Sequence, residues 1–127
     1  MQDKHLFEYA VIRVVPRVER EEFLNVGIIL YCKTKKFLQC VYQLNKQKLQ
    51  VLCSSLDCDE VEDNLQSFEN ICNGNNSAGT IGALDIASRF RWLTATRSTI
   101  VQTSKVHPGF CTEPKETLQK LFEQLVL

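Results

Sequence analysis

Three stretches near the start of the chain share one pattern. Residues 6–15 (LFEYAVIRVV), 23–32 (FLNVGIILYC) and 37–44 (FLQCVYQL) are short and rich in aromatic and β-branched side chains, the composition of strands packed on a pleated surface. Pro16 ends the first. Residues 16–22 (PRVEREE) then carry five charges in seven positions and read as an exposed loop or a single helical turn. Residues 33–36 (KTKK) form a polar four-residue join. Three strands with short joins predict an antiparallel meander. Placing Val15 opposite Phe23 sets Arg13 against Asn25, Val11 against Gly27 and Tyr9 against Ile29. Placing Cys32 opposite Phe37 sets Gly27 against Tyr42 as well. One face then holds Ile12, Val14, Leu24, Val26, Ile28, Leu30 and Val41, and the other Phe7, Tyr9, Val11, Ile29, Tyr31, Leu38, Cys40 and Tyr42. Both are apolar, so each is expected to be covered, by helices or by a partner chain.

The period then becomes helical. Residues 45–55 fit a short helix burying Leu49, Leu52 and Cys53. Residues 57–73 fit a longer one, with Asp57 as N-cap and Glu60 three residues on. Val61, Leu65, Phe68 and Cys72 recur along it at i, i+4, i+7 and i+11, one apolar stripe. Gly74 is placed to end it. Its other side is acidic, the pattern of a solvated face. Residues 74–82 (GNNSAGTIG) read as a loop. Residues 85–93 (DIASRFRWL) predict a short helix capped by Asp85, with Ile86, Phe90 and Leu93 inward. A final helix, capped by Thr112 or Glu113, carries Leu118, Leu121, Phe122 and Leu125 as its stripe.

Residues 96–109 (TRSTIVQTSKVHPG) break the rule that the other elements follow. They read as a strand, yet both faces are polar: Arg97, Thr99, Val101, Thr103, Lys105 and His107 on one, Ser98, Ile100, Gln102, Ser104 and Val106 on the other. Each buried polar group needs a partner, and a polar strand in a well-patterned chain marks the place to look for a site. Together the elements predict one α+β domain over residues 1–127. It comprises an antiparallel sheet of about four strands, the meander plus the polar strand, packed with three to four helices.

Charge narrows the function. Lys plus Arg and Asp plus Glu both number 15, so formal net charge is zero, and there is no global positive field for nucleic acid or an anionic membrane. No run approaches membrane-spanning length and the first residues lack a hydrophobic signal core, so a cytoplasmic location is expected. The charge is segregated: residues 49–88 contain seven acids and no base, residues 86–112 four bases and no acid. An internal match of basic strand with acidic helix is one reading; an anion pocket is the other.

The six cysteines, at 32, 40, 53, 58, 72 and 111, include no Cys-x-x-Cys pair. They are expected to be reduced, metal-free thiols, mostly acting as small hydrophobes. No glycine-rich phosphate loop and no His-x-x-x-His spacing is present, so neither cofactor nor metal is expected. His107 and Cys111 lie close in sequence, but the Pro-Gly between them fixes no nucleophile–base contact.

The sharpest candidate site lies where the meander meets the polar strand. Arg13 opposite Asn25 sits at the edge of an apolar face, and a partly desolvated guanidinium needs an anionic partner. An Arg13–Glu22 pair would satisfy it internally. If the polar strand lies beside the meander, Arg13, Arg17 and Arg97 converge on one cleft, with Ser98 and Thr99 adding donors and Gln102 and His107 along its floor. Gly27 beside Asn25 either leaves room for a ligand or relieves crowding by Tyr42.

The blocks YAVIRVVPRVEREEFLNVGIILYC and FRWLTATRSTIVQTSKVHPG, with the C-terminal helix, resemble the small bacterial family catalogued as domain of unknown function 3037. The resemblance implies that Arg13, Glu22, Asn25 and Gly27 of the first block belong with Arg97, Ser98, Gln102 and His107 of the second. Thr96 and Lys105 stand where many relatives are expected to have proline. It also implies a neighbouring HipA-like kinase as partner. The favoured expectation is a non-enzymatic binding or adaptor module that joins such a protein partner or self-associates. The alternative is a small enzyme acting on a phosphorylated or nucleotide-like substrate through an arginine-lined anion site.

Overall fold

The computed structural model describes residues 3–95 and 99–127. Thr96, Arg97 and Ser98, the start of the expected polar strand, lie outside the described residues. The three early apolar runs form strands β1 (His5–Val14), β2 (Leu24–Cys32) and β3 (Phe37–Tyr42), an antiparallel meander with β2 in the middle. Cys32 faces Phe37 and Gly27 faces Tyr42, as the four-residue join dictates.

The β1–β2 register departs from expectation at one point. Arg13 does face Asn25, but Ile12 faces Gly27, so Val26 is an extra residue on β2. This β-bulge shifts every later pair by one, and a one-residue slip exchanges the faces. Val11 therefore faces Ile28 and Tyr9 faces Leu30, not Gly27 and Ile29. The carbonyl of Val26 is not wasted; it accepts from the N–H of Gln43 at 2.8 Å.

The polar strand is not one strand but two, which makes the sheet five-stranded among the described residues. β4 (Val101–Thr103) and β5 (His107–Cys111) lie end to end along the free edge of β1. Ile12 faces Thr103 and Tyr9 faces His107, three steps on β1 against four on its partner. Ser104 fills the break. Its N–H donates to the Val11 carbonyl (2.8 Å) and its Oγ accepts from the Val11 N–H (2.9 Å), so a side chain stands in for a ladder carbonyl. Ser104 is accordingly the one buried polar residue among those described. Ser104→Ala leaves that buried N–H unpaired. The expected result is a loss of about 1–3 kcal/mol in unfolding free energy, measured by denaturant titration; Ser104→Ala as stable as the parent chain would disprove this role.

Five α-helices complete the described chain: α1 (Lys46–Leu52), α2 (Cys58–Asn73), α3 (Gly79–Gly82), α4 (Ile86–Thr94) and α5 (Pro114–Leu125). Asn45, Asp57 and Asp85 cap α1, α2 and α4, each accepting from backbone N–H groups of the first turn. Gly74 ends α2 with φ +69°, the left-handed turn that glycine adopts without strain. The expected loop at residues 74–82 holds a 3-10 turn (Asn76–Ala78) and the four-residue α3. Glu113 precedes α5 without a side-chain cap bond, and Pro114 supplies the first helical position instead.

Helices cover both sheet faces. On one, Ile12, Ile29 and Tyr31 pack with Leu49 of α1, the α2 stripe and Phe90 and Leu93 of α4. On the other, Val11, Ile28 and Leu30 pack with Leu118 and Phe122 of α5. Burying each such side chain contributes roughly 1.5–3 kcal/mol.

Candidate functional site

Gln102, Arg13 and Asn25 stand side by side across β4, β1 and β2. Arg13 lies two residues beyond Val11 and so projects to the α5 face. Asn25 reaches the end of α5, its Nδ2 donating to the Leu125 carbonyl at 3.3 Å. The Arg13 guanidinium carbon lies 4.0 Å from the centre of the Phe23 ring, a cation–π contact. Two atoms of this row are buried without a hydrogen-bond partner: Arg13 Nε and Asn25 Oδ1. One is a donor and the other an acceptor, and buried polar atoms without partners are rare.

The polar side chains around the row are engaged elsewhere. Gln102 Nε2 donates to the Thr99 carbonyl (2.7 Å) and Thr99 Oγ1 to the Val101 carbonyl (2.7 Å), so both brace the turn into β4. Glu22 pairs with Arg20 at 2.5 Å rather than with Arg13; the two are near neighbours in an exposed turn. Gly27 is explained by packing. A Cβ there would lie 2.4 Å from the Val41 carbonyl oxygen and 2.7 Å from Tyr42 Cβ, so the glycine admits β3 and not a ligand.

The expected single cleft divides. His107 sits opposite Tyr9, its ring 5.3 Å from the tyrosine ring, about 13 Å along β1 from Arg13 at the usual strand rise. Arg17 lines a separate concavity of about 220 Å³ with Arg20, Glu22, Cys53, Ser54 and Ser55. Arg97 and Ser98 lie outside the described residues. The acid–base match expected between α2 and the polar strand is not what pairs the described cations: Arg91 bonds Glu8 on β1, and Lys46 bonds Glu62.

Three contributors escaped the sequence reading: Phe23 as a ring under Arg13, the Leu125 carbonyl, and the 53–55 segment against Arg17. Only the first had a signal, an aromatic residue placed next to the Arg13–Asn25 pair. All six cysteines carry free thiols. Cys40 is pushed well above the ordinary thiol range, first by its hydrogen bond with Cys72 and then by burial; Cys111 is raised by burial. Among the described residues, no three His, Cys, Asp or Glu side chains gather to hold a metal ion, and no helix is long and apolar enough to cross a membrane.

The architecture defines an α+β domain, one antiparallel sheet enclosed by helices on both faces, with a polar row near one end of its central strand. The chain belongs to the family described as Protein of unknown function (DUF3037), whose model matches residues 9–126. No curated protein and no solved structure gives a significant match.

Proposed function

We propose that the chain is a non-enzymatic binding module and that the Gln102–Arg13–Asn25 row is the part that meets its ligand. The observation that carries this is the Arg13 side chain. Its Nε is buried without a partner, it forms no ion pair with the described residues, and its guanidinium carbon sits over the Phe23 ring. A guanidinium fixed in this way presents its remaining N–H groups in a planar fork, the geometry that suits a carboxylate or phosphate. Asn25 Oδ1 adds a free acceptor beside it. A donor fork with a neighbouring acceptor binds and orients a group; it supplies no nucleophile and no general base. The ligand class is an anionic group, and its natural carrier is a protein partner. A HipA-like kinase is the first candidate, on the strength of the family resemblance alone.

The test is a phosphate and sulfate titration followed through the Arg13 Nε–H resonance. That signal is expected to move and saturate, with affinity falling as salt rises. Arg13→Ala should abolish binding while changing unfolding free energy by less than about 1 kcal/mol. An Arg13 resonance that stays fixed, or an affinity that Arg13→Ala leaves unchanged, overturns the reading. Copurification with the kinase, lost in Arg13→Ala, would identify the carrier.

A further inference from the structure

The concavity holding Arg17 is separate from the Arg13 row and differs from it in containing a nucleophile. One wall is the 16–22 connection, with Arg17, Arg20 and Glu22; the other is the turn after α1, with Cys53, Ser54 and Ser55. Glu22 bonds Arg20 through Nε, so one carboxylate stands against two guanidiniums and the lining retains positive charge. The Cys53 sulfur lies 3.4 Å from the Ser55 hydroxyl and is only half-buried. The hydrogen bond with the Ser55 hydroxyl holds the thiol below its ordinary range against the opposing effect of burial, and the Ser55 backbone and then the charge of Arg17 add smaller contributions in the same direction.

The other five cysteines lack this setting. Cys32, Cys72 and Cys111 are buried. Cys40 packs on the core and is hydrogen-bonded to Cys72. Cys58 is half-buried like Cys53 but opens α2 among Asp57, Asp59 and Glu60, carboxylates that repel an anionic reagent. Only the thiolate is nucleophilic, and it is favoured by cationic neighbours and access together.

We propose that this basic concavity is a modification site at which Cys53 exchanges with small disulfides that carry carboxylates. Cys53 Sγ, as thiolate, attacks one sulfur of the disulfide. A Cys53–S–S–R bond forms, the original S–S bond breaks, and the departing thiolate takes a proton from water. Cys53 is oxidised and the released half of the disulfide is reduced. Arg17 and Arg20 attract the carboxylates of the incoming molecule and remain beside them in the adduct.

The folded chain is treated with glutathione disulfide, an anionic probe, or with cystamine, a cationic one, and adducts are located by peptide mass. The expected result is a single glutathione adduct, at Cys53, formed faster than the cystamine adduct by roughly fivefold or more at low salt, with the ratio falling as salt rises. Arg17→Ala is expected to remove most of that preference while leaving reaction with neutral hydroxyethyl disulfide within about twofold. Cys53→Ser should take up no glutathione. Labelling first at Cys58 or Cys40, equal rates with the two probes, or no adduct on the folded chain overturns the proposal. The comparison of probes on the unsubstituted protein stands even if a variant fails to fold.

Discussion

Gly27→Ala is expected to lower the melting temperature by roughly 10 °C, equivalent to about 3 kcal/mol for a domain of this size. The added methyl would meet the backbone at Val41 O (2.4 Å) and the root of a side chain at Tyr42 Cβ (2.7 Å). Neither atom can rotate away, because both belong to the β3 ladder that pairs with Gly27 itself. Relief requires β2 and β3 to part beside the bulge that already interrupts the β1–β2 ladder. A thermal melt by circular dichroism measures the effect. If Gly27→Ala melts with the parent chain, the close approach of β3 at Gly27 is wrong.

Phe90→Ala is the second large loss, about 3–5 kcal/mol. Phe90 is fully buried and its ring centre lies 5.3 Å from that of Tyr31, so one side chain ties α4 to the sheet. Truncation leaves a cavity between a helix and β2 that neither can close without moving the other. Phe110→Ala provides the contrast: that ring is 70% exposed, and its removal should change stability by no more than about 0.5 kcal/mol. The denaturation midpoint should fall for Phe90→Ala with an unchanged slope. Similar midpoints for the two variants would contradict the assignment of the core.

What the sequence disclosed follows the physics of each element. The α2 stripe was legible because four residues at helical spacing admit one reading, and all four are buried. The β2–β3 register was legible because a four-residue join anchors it. The β1–β2 register was legible only up to Arg13 and Asn25. Val26 bulges out between two apolar faces, so a slip there places apolar residues on an apolar face and leaves no mark in the pattern. The break at Ser104 was hidden for a related reason. A serine hydroxyl can serve a loop, a surface or a ladder, and only the position of β1 decides which. The site divides in the same way. The Arg13–Asn25 pairing came from local register, whereas Asn25 meeting Leu125 and Arg17 meeting Cys53 depend on packing between distant segments. Composition, charge and spacing contain no record of those meetings.

The central position of β1 has a consequence for synthesis of the chain. Its partner on one side, β2, follows after a short connection, but the other edge waits for residues 101–111. Between those moments a growing chain holds a meander whose edge strand, β1, has an open row of backbone donors and acceptors. That edge is apolar on both sides and able to recruit any extended segment nearby. Most of the polypeptide must be made before the sheet can close, so contacts across large sequence separations set the pace of folding. For a nascent chain, the polar residues from Gln102 to His107 are therefore the closing seam: late to arrive, and polar enough to remain solvated until β1 receives them.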